Sequence, residues 1–460
     1  MRFHVIASAL TVSTALVLAT AAGFHPVTAS EPLPRIYGGT PATGNPGVAA
    51  LAINSGAAWD SSCSAAVWKP RILLTAAHCV TAQGGSANVA GLAVFPPGAV
   101  AIQFSNTGPQ GAASAQVSQI FKPTEYVNAS ARVEPNDFAI VVLNSDLNNS
   151  GYYNRLATSA EMTRWAQNLY PGTIMGYGLT GPDQRTTVPI QAQVPIDTYE
   201  PRASFGPVFS VGQSANVGVC SGDSGGPTYA TNFAGERLLL GVNSGSAGGC
   251  VAGFTGSYLM VGFTAIDYLD LINQALTVAG YPTIPSAPVL TELKAVNNSI
   301  VASWQPPQTS PQTVSGYEVL DSDGSIACTT TVLTCTIPQL APGEYSFTVR
   351  AKNAQNEGNA FPATQSAAIV PPSQMTPPRI AGGKIRFVTL AGSSSAVVTE
   401  YRVIDARGKR ICTIKDFSPT TQRLSCPLPT KPGSYRFRVL AETEMGQTPP
   451  SGLSRKRVIS

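Results

Sequence analysis

Three observations predict an all-β fold divided into several domains. The chain has 460 residues, enough for two or three domains, and 43% of them are hydrophobic, which fits packed cores rather than disorder. It carries 43 Gly and 37 Pro against 12% charged residues, the composition of short strands joined by many turns. Its last third repeats an alternating pattern with the period of two expected of strands.

The N-terminus reads as an export signal over 1–29. Basic MRFH precedes an apolar run from Val5 to Ala19, and small-residue sites follow at Ala19-Thr20-Ala21 and Val27-Thr28-Ala29. The apolar stretch is short for a membrane span and is diluted by Ser8, Thr11, Ser13 and Thr14. A secreted, extracellular protein is therefore expected, and eight cysteines, an even number, agree with an oxidising compartment. They fall in sequence as Cys63 and Cys79, Cys220 and Cys250, Cys328 and Cys335, Cys412 and Cys426. Pairing in that order would make four bridges, which spacing alone does not prove.

Ser224, in CSGDSGGP, is the first candidate for chemistry, because a serine flanked by glycines is a nucleophile only if a base stands within reach. His4 lies in the signal and His25 near its end, so His78 in RILLTAAHCV is the remaining base. Ile72 to Thr75 reads as a buried strand leading to it. Asp137, in NDFAIVVL, stands just before an apolar strand that could carry a carboxylate inward. Taken singly, each has a plainer reading: a structural histidine, a turn aspartate, a loop serine.

Together, LTAAHC around His78, NDFAIVVL with Asp137 and CSGDSGGP around Ser224 resemble the chymotrypsin-like serine proteases, in the family's order of base, orienter and nucleophile. Cys63 sixteen residues before Cys79 and Ser244 six before Cys250 are spacings the family shares. The resemblance implies a two-barrel domain over 36–280, hydrolysing peptide bonds with no cofactor. Ser224 would attack, His78 would serve as base and then acid, and Asp137 would orient the imidazole. The backbone N–H groups of Gly222 and Ser224 would form the oxyanion hole, and Ser244 resembles the serine that bonds the buried aspartate.

The stretch PRIYGGT resembles the family's activation sequence, with Tyr37 in place of the usual valine. After a short propeptide, 30–35, cleavage between Arg35 and Ile36 by another protease would free an α-amino group to pair with Asp223. Family resemblance puts the base of the specificity pocket at Gly218, where trypsin-type members have an aspartate, and its walls at Val219, Ser244, Ser246 and Gly256. An uncharged residue, aromatic or medium apolar, is expected on the acyl side of the cleaved bond. The loop from Val80 to Thr107 contains no Asp or Glu, so neither calcium nor another metal is expected there.

Ile266, Leu269, Ile272 and Leu276 recur at helical spacing and predict the C-terminal helix with which the family also ends. YPTIPSAP reads as a Pro-rich linker, 281–288. Beyond it Tyr317 stands eleven residues before Cys328 and Tyr401 eleven before Cys412, and both copies end in Pro-Gly-x-Tyr-x-Phe-x-Val. The first copy, 289–372, with Trp304 and Tyr345, resembles a fibronectin type III sandwich. The second, 373–460, lacks the tryptophan and is expected to be a degenerate sandwich.

Charge separates the copies: 373–460 holds 15 Lys and Arg against 5 Asp and Glu, while 286–372 holds 3 against 6. The last module could hold an anionic polymer or a cell surface, or be a basic face with no partner. Two classes of function follow: a secreted, monomeric serine endopeptidase acting on proteins or peptides, and a binding or adhesion protein with a silent protease-like domain. The Asn-x-Ser triplets at Asn128, Asn148 and Asn297 would accept glycans in a glycosylating host.

Overall fold

Runs such as Val48–Asn54 (VAALAIN) and Ile72–Thr75 (ILLT) lack polar alternation because both their faces are covered. In the computed structural model they belong to a six-stranded sheet ordered Gly91–Phe95, Val48–Asn54, Trp59–Lys69, Ile72–Thr75, Ala139–Leu143, Val117–Phe121. A bridge between Val94 and Ala115 brings the two edges together. The structure describes residues 36, 38–44, 46–54, 59–89, 91–95, 103–105, 108–110, 115–129, 133–147, 151–178, 188–213, 217–246, 258–370, 373–390, 397–443 and 446–460. The expected signal and propeptide, Arg35, Cys250, Gly256 and Asn148 lie outside these residues.

The second barrel closes fully, since Ile190–Glu200 pairs on one side with Pro171–Gly176 and on the other with Val208–Gln213. Between them run Pro227–Thr231, Arg237–Ser246 and Tyr258–Thr264. Each barrel has its own core, and a third cluster fills the seam, joining Phe138, Ile140 and Leu74 to Met175, Val242 and Phe263. The helix Leu269–Ala279 covers that seam with Ile272 and Leu276 and ends at Gly280, whose φ of 78° closes it in the left-handed conformation. This matches the expected C-terminal helix.

A second helix, Ser159–Gln167, departs from the all-β expectation. Thr158 caps it: its Oγ1 accepts the Glu161 N–H at 3.2 Å, and Glu161 Oε2 accepts the Thr158 N–H at 2.9 Å. Arg155 donates two bonds to the Glu161 carboxylate, at 2.8 and 2.7 Å. Burial pushes that carboxyl up, but the Arg155 guanidinium outweighs it and holds the group at about 2.

Beyond the barrels stand two β-sandwich modules built alike. Tyr317–Val319 and Tyr401–Val403 pair with their first-cysteine strands in the same register, Val319 opposite Cys328 and Val403 opposite Cys412. Trp304 packs on Tyr317 at 5.5 Å; Phe387 packs on Tyr401 at 5.6 Å and so occupies the tryptophan's place. Disulfides join Cys63 to Cys79, Cys328 to Cys335 and Cys412 to Cys426, and Cys220 is also disulfide-bonded.

The expected linker is packed rather than free. Ile284 is fully buried, and the Asn273 side chain donates to its carbonyl at 3.0 Å and accepts its N–H at 2.7 Å. The first module then docks on the N-terminus of the helix Ser159–Gln167. Asn359 Oδ1 accepts the Ser159 N–H at 2.9 Å, and the Ala360 carbonyl accepts the Ala160 N–H at 2.9 Å. Glu357 accepts from Lys69 Nζ at 2.6 Å and from the Leu156 N–H at 3.1 Å. Helix N–H groups that have no partner within the helix are thus satisfied by another module.

Glu357→Ala would leave the half-buried Lys69 ammonium and the buried Leu156 N–H without their acceptor, at a cost of about 2–4 kcal/mol. Chemical denaturation of the full chain should read that loss, while Glu344→Ala on the exposed edge of the same module should change stability by less than about 0.5 kcal/mol.

Candidate active site

The sequence-predicted residues meet at the seam between the barrels. The buried strand Ile72–Thr75 delivers a short 3-10 turn, Ala77–Cys79, tied down by the Cys63–Cys79 bridge, and this turn presents His78. Asp137 precedes Ala139–Leu143, the neighbour of that strand. Asn136 beside it adopts φ 56°, donates its N–H to Phe205 and accepts the Tyr268 hydroxyl at 3.0 Å. Phe138 stacks on Tyr268 at 4.6 Å, which locks the turn against the C-terminal helical segment.

Asp137 is 1% exposed and accepts three bonds. The His78 backbone N–H reaches Oδ1 at 2.8 Å, His78 Nδ1 reaches Oδ2 at 2.7 Å, and Ser244 Oγ donates to Oδ2 at 2.5 Å. Burial raises the Asp137 carboxyl, but the charge of His78 and these bonds outweigh it, so the group sits below the usual carboxylate range. Burial lowers His78; the Asp137 charge and bond outweigh that too, with Glu134 adding, and the imidazole sits above its ordinary value.

Ser224 Oγ donates to the Ser244 carbonyl at 3.3 Å rather than to His78. Its loop is clamped by the first barrel. Ser64 donates its N–H to the Ser224 carbonyl and its Oγ to the Gly222 carbonyl, both at 2.8 Å, while Ser64 Oγ accepts the Tyr177 N–H. Gly222 has φ 95°, and among the described residues neither its N–H nor that of Ser224 is donated. Gly225 has φ 78° and no room for a side chain: a Cβ there would stand 2.0 Å from Thr75 Oγ1.

Asp223 and Ile36 are both fully buried. Asp223 accepts the Gly178 and Cys220 N–H groups, each at 2.8 Å, and the described residues place no cation on it. Burial pushes its carboxyl up to about 7, against those two bonds. The Ile36 side chain packs in the second-barrel core, and its carbonyl accepts the Gly39 N–H at 2.8 Å.

Of the expected pocket residues, Gly218, Val219 and Ser244 are buried next to the CSGDSGGP loop. Ser246 ends the strand Arg237–Ser246, with its side chain outside the description. Cys63, His78 and Cys79 come close enough to suggest a metal-ligand set. The two sulfurs are bonded to each other, so neither is a thiolate ligand.

Sequence reasoning missed three supports. Glu134, 4% exposed, accepts the Tyr126 hydroxyl, and its charge helps to raise His78. Asn128 Nδ2 donates to the Thr81 carbonyl at 2.9 Å and the His78 carbonyl at 3.4 Å, which makes it a buried structural residue rather than an open glycan acceptor. Ser64 adjoins Cys63, and that adjacency was the sole signal for it.

Two barrels with these residues at their seam define a serine-protease domain. The trypsin family model matches residues 36–269, and the chain belongs to that family. A fibronectin type III domain model matches 286–366. The chain is also similar to Chitinase A1 of Niallia circulans, 29% identical over 212 residues, which are 43% of this chain and 30% of that protein. It therefore spans under a third of that relative's length.

Asp223 yields a pH prediction. Its folded value, about 7, lies above its ordinary 3.8, so the folded state holds the proton longer and this group's contribution to stability falls as pH rises from about 4 to 7. In the uncleaved Ser224→Ala chain, Asp223→Asn should remove that decline. Melting temperatures at pH 5 and pH 8 measure it: the parent should lose more than the variant.

Proposed function

We propose that the protein is a secreted serine endopeptidase, made active by cleavage between Arg35 and Ile36. The observation that carries the reading is the buried chain of bonds from Ser244 through Asp137 to His78, formed beside Ser224 in a trypsin-family domain. Ser224 Oγ attacks the scissile carbonyl carbon while His78 Nε2 takes its proton. Asp137 holds Nδ1 protonated and stabilises the imidazolium. The carbonyl oxygen, now negative, is met by the N–H groups of Gly222 and Ser224, each worth about 3 kcal/mol of barrier. His78 then protonates the leaving amine, and water repeats the sequence to release the acid.

The freed ammonium of Ile36 is the natural partner for Asp223, a buried carboxyl that meets no cation among the described residues. Their pairing offsets a desolvation cost of several kcal/mol and holds the Gly222 turn in shape. Gly218 provides no anion at the pocket base, so the favoured residue before the cleaved bond is uncharged. The signal-like N-terminus and the disulfides support export, and among the described residues no helix is long and apolar enough to cross a membrane.

Three measurements test this. The secreted chain, incubated with a library varied at the residue before the cleaved bond, should cut only after a trace of trypsin. It should prefer uncharged residues there and lose all cutting in Ser224→Ala. Arg35→Gln should stay silent after trypsin; an active Arg35→Gln protein would end the activation scheme, and a silent, correctly cut parent would end the enzyme reading. Asp137→Asn should lower kcat by about 10⁴-fold with little change in KM. The acid limb of kcat/KM should lie above pH 6.5, because the His78 imidazole must lose its proton and its value is raised; Glu134→Gln should move that limb down.

A further inference from the structure

The last module turns a basic sheet outward. Its three-stranded sheet pairs Arg379–Ala381 with Lys384–Val388, and Lys384–Val388 with Arg423–Pro427. Along Lys384–Val388 burial alternates, with Ile385 and Phe387 inside and Lys384, Arg386 and Val388 outside. The register places Arg379 directly opposite Arg386, with Lys384 two residues away along the same strand and Arg423 opposite Val388. All four cations are exposed, and none forms an ion pair among the described residues. No outward position of these strands is acidic or aromatic.

Like charges directly across an antiparallel pair destabilise a sheet. The register is nevertheless held: Gly382 and Gly383, at φ 56° and 68°, form the two-residue hairpin that sets Arg379 against Arg386. The first module shows that the architecture does not require this. By the same register Glu292 stands where Arg379 does, Val301 where Lys384 does and Ser303 where Arg386 does. Three residues before the second cysteine of each module, Val332 stands where Arg423 does. One sheet of one repeat thus carries an exposed face of four cations with no ion pair among the described residues.

We propose that this face, Arg379, Lys384, Arg386 and Arg423, binds an anionic polysaccharide and tethers the protein to it. Outward residues two apart on a strand are about 7 Å apart and neighbouring strands about 4.8 Å apart. The cations therefore form a shallow grid suited to an extended polymer carrying regular charge rather than a pocket for a small anion. Three of the four are arginines, whose planar guanidinium meets carboxylate or sulfate with two parallel bonds. Single-stranded nucleic acid is less suited, since its binding sites add aromatic side chains for base stacking and this face has none.

The test uses the full chain carrying Ser224→Ala, so its outcome is independent of catalysis. Binding to fluorescein-labelled heparin, to polygalacturonate and to a thymidine oligonucleotide is measured at physiological ionic strength. One variant removes the four charges, with Arg379→Gln and with the first module's residues at the other three positions, Lys384→Val, Arg386→Ser and Arg423→Val. A second removes equal charge elsewhere, with Lys431→Gln, Arg455→Gln, Lys456→Gln and Arg457→Gln. Thermal melts establish that both fold.

The first variant should bind heparin or polygalacturonate about thirtyfold more weakly, four exposed contacts each contributing a factor of about two to three, and the second should lose less than about threefold. Heparin binding alone would identify sulfate as the preferred charge, and equal binding of both polymers would identify charge of either chemistry. Equal losses in the two variants, no binding by the parent, or tighter binding of the oligonucleotide than of either polysaccharide would overturn the proposal.

Discussion

The carboxylate of Asp137 is the constraint around which the catalytic-type domain is arranged. An ionised group this deeply buried costs several kcal/mol unless every lone pair finds a donor. Its donors come from both barrels: His78 from the first, twice, and Ser244 from the second. The charge is therefore tolerable only when the barrels are closed on each other, and the seam of apolar side chains holds them so. The stacked pair of Phe138 and Tyr268 extends the same constraint to the C-terminal helical segment. Site geometry and barrel assembly are one event.

A similar economy of polar groups shapes the rest of the chain. Ser64 spends both its N–H and its hydroxyl on the CSGDSGGP loop, so the first barrel sets the path of a loop that belongs to the second. At the far side, the helix Ser159–Gln167 would expose its first N–H groups to a dry surface. The first sandwich module supplies Asn359 and Ala360 as their acceptors. Lys69 and Glu357 add an ion pair whose carboxylate is almost wholly enclosed. The strand Arg155–Leu156 lies between this contact and Arg237–Ser246, the strand that ends beside Asp137. Docking of the module and order at the site thus share one sheet.

Much of this was legible because it is local. His78, Asp137 and Ser224 sit in short motifs whose residues are set by turns and close approaches, such as Gly225 against Thr75. The repeat of the two modules was visible in tyrosine, cysteine and Pro-Gly spacing, and the structure keeps it in register. Thr158 and Glu161 also carried a local signal, the Thr-x-x-Glu of a capping box, which an all-β expectation passed over. Glu134, Ser64 and Glu357 had no such signal. Each acts on residues far away in sequence, and apart from Cys63 beside Ser64 nothing in its neighbours marks it.

Sequence by itself determined the chemistry available to this protein: one imidazole placed after a buried strand, one carboxylate before another, one serine among glycines, and a last module rich in cations. Tertiary structure alone decided how those groups face. It brought Ser244 onto Asp137, left Asp223 buried with no cation among the described residues, packed the Pro-rich linker on Asn273 and aligned Arg379 with Arg386. The reason is physical. Residue identity and local spacing settle what a side chain can do, but burial and strand register settle what it meets, and both depend on contacts between segments that the chain order leaves far apart.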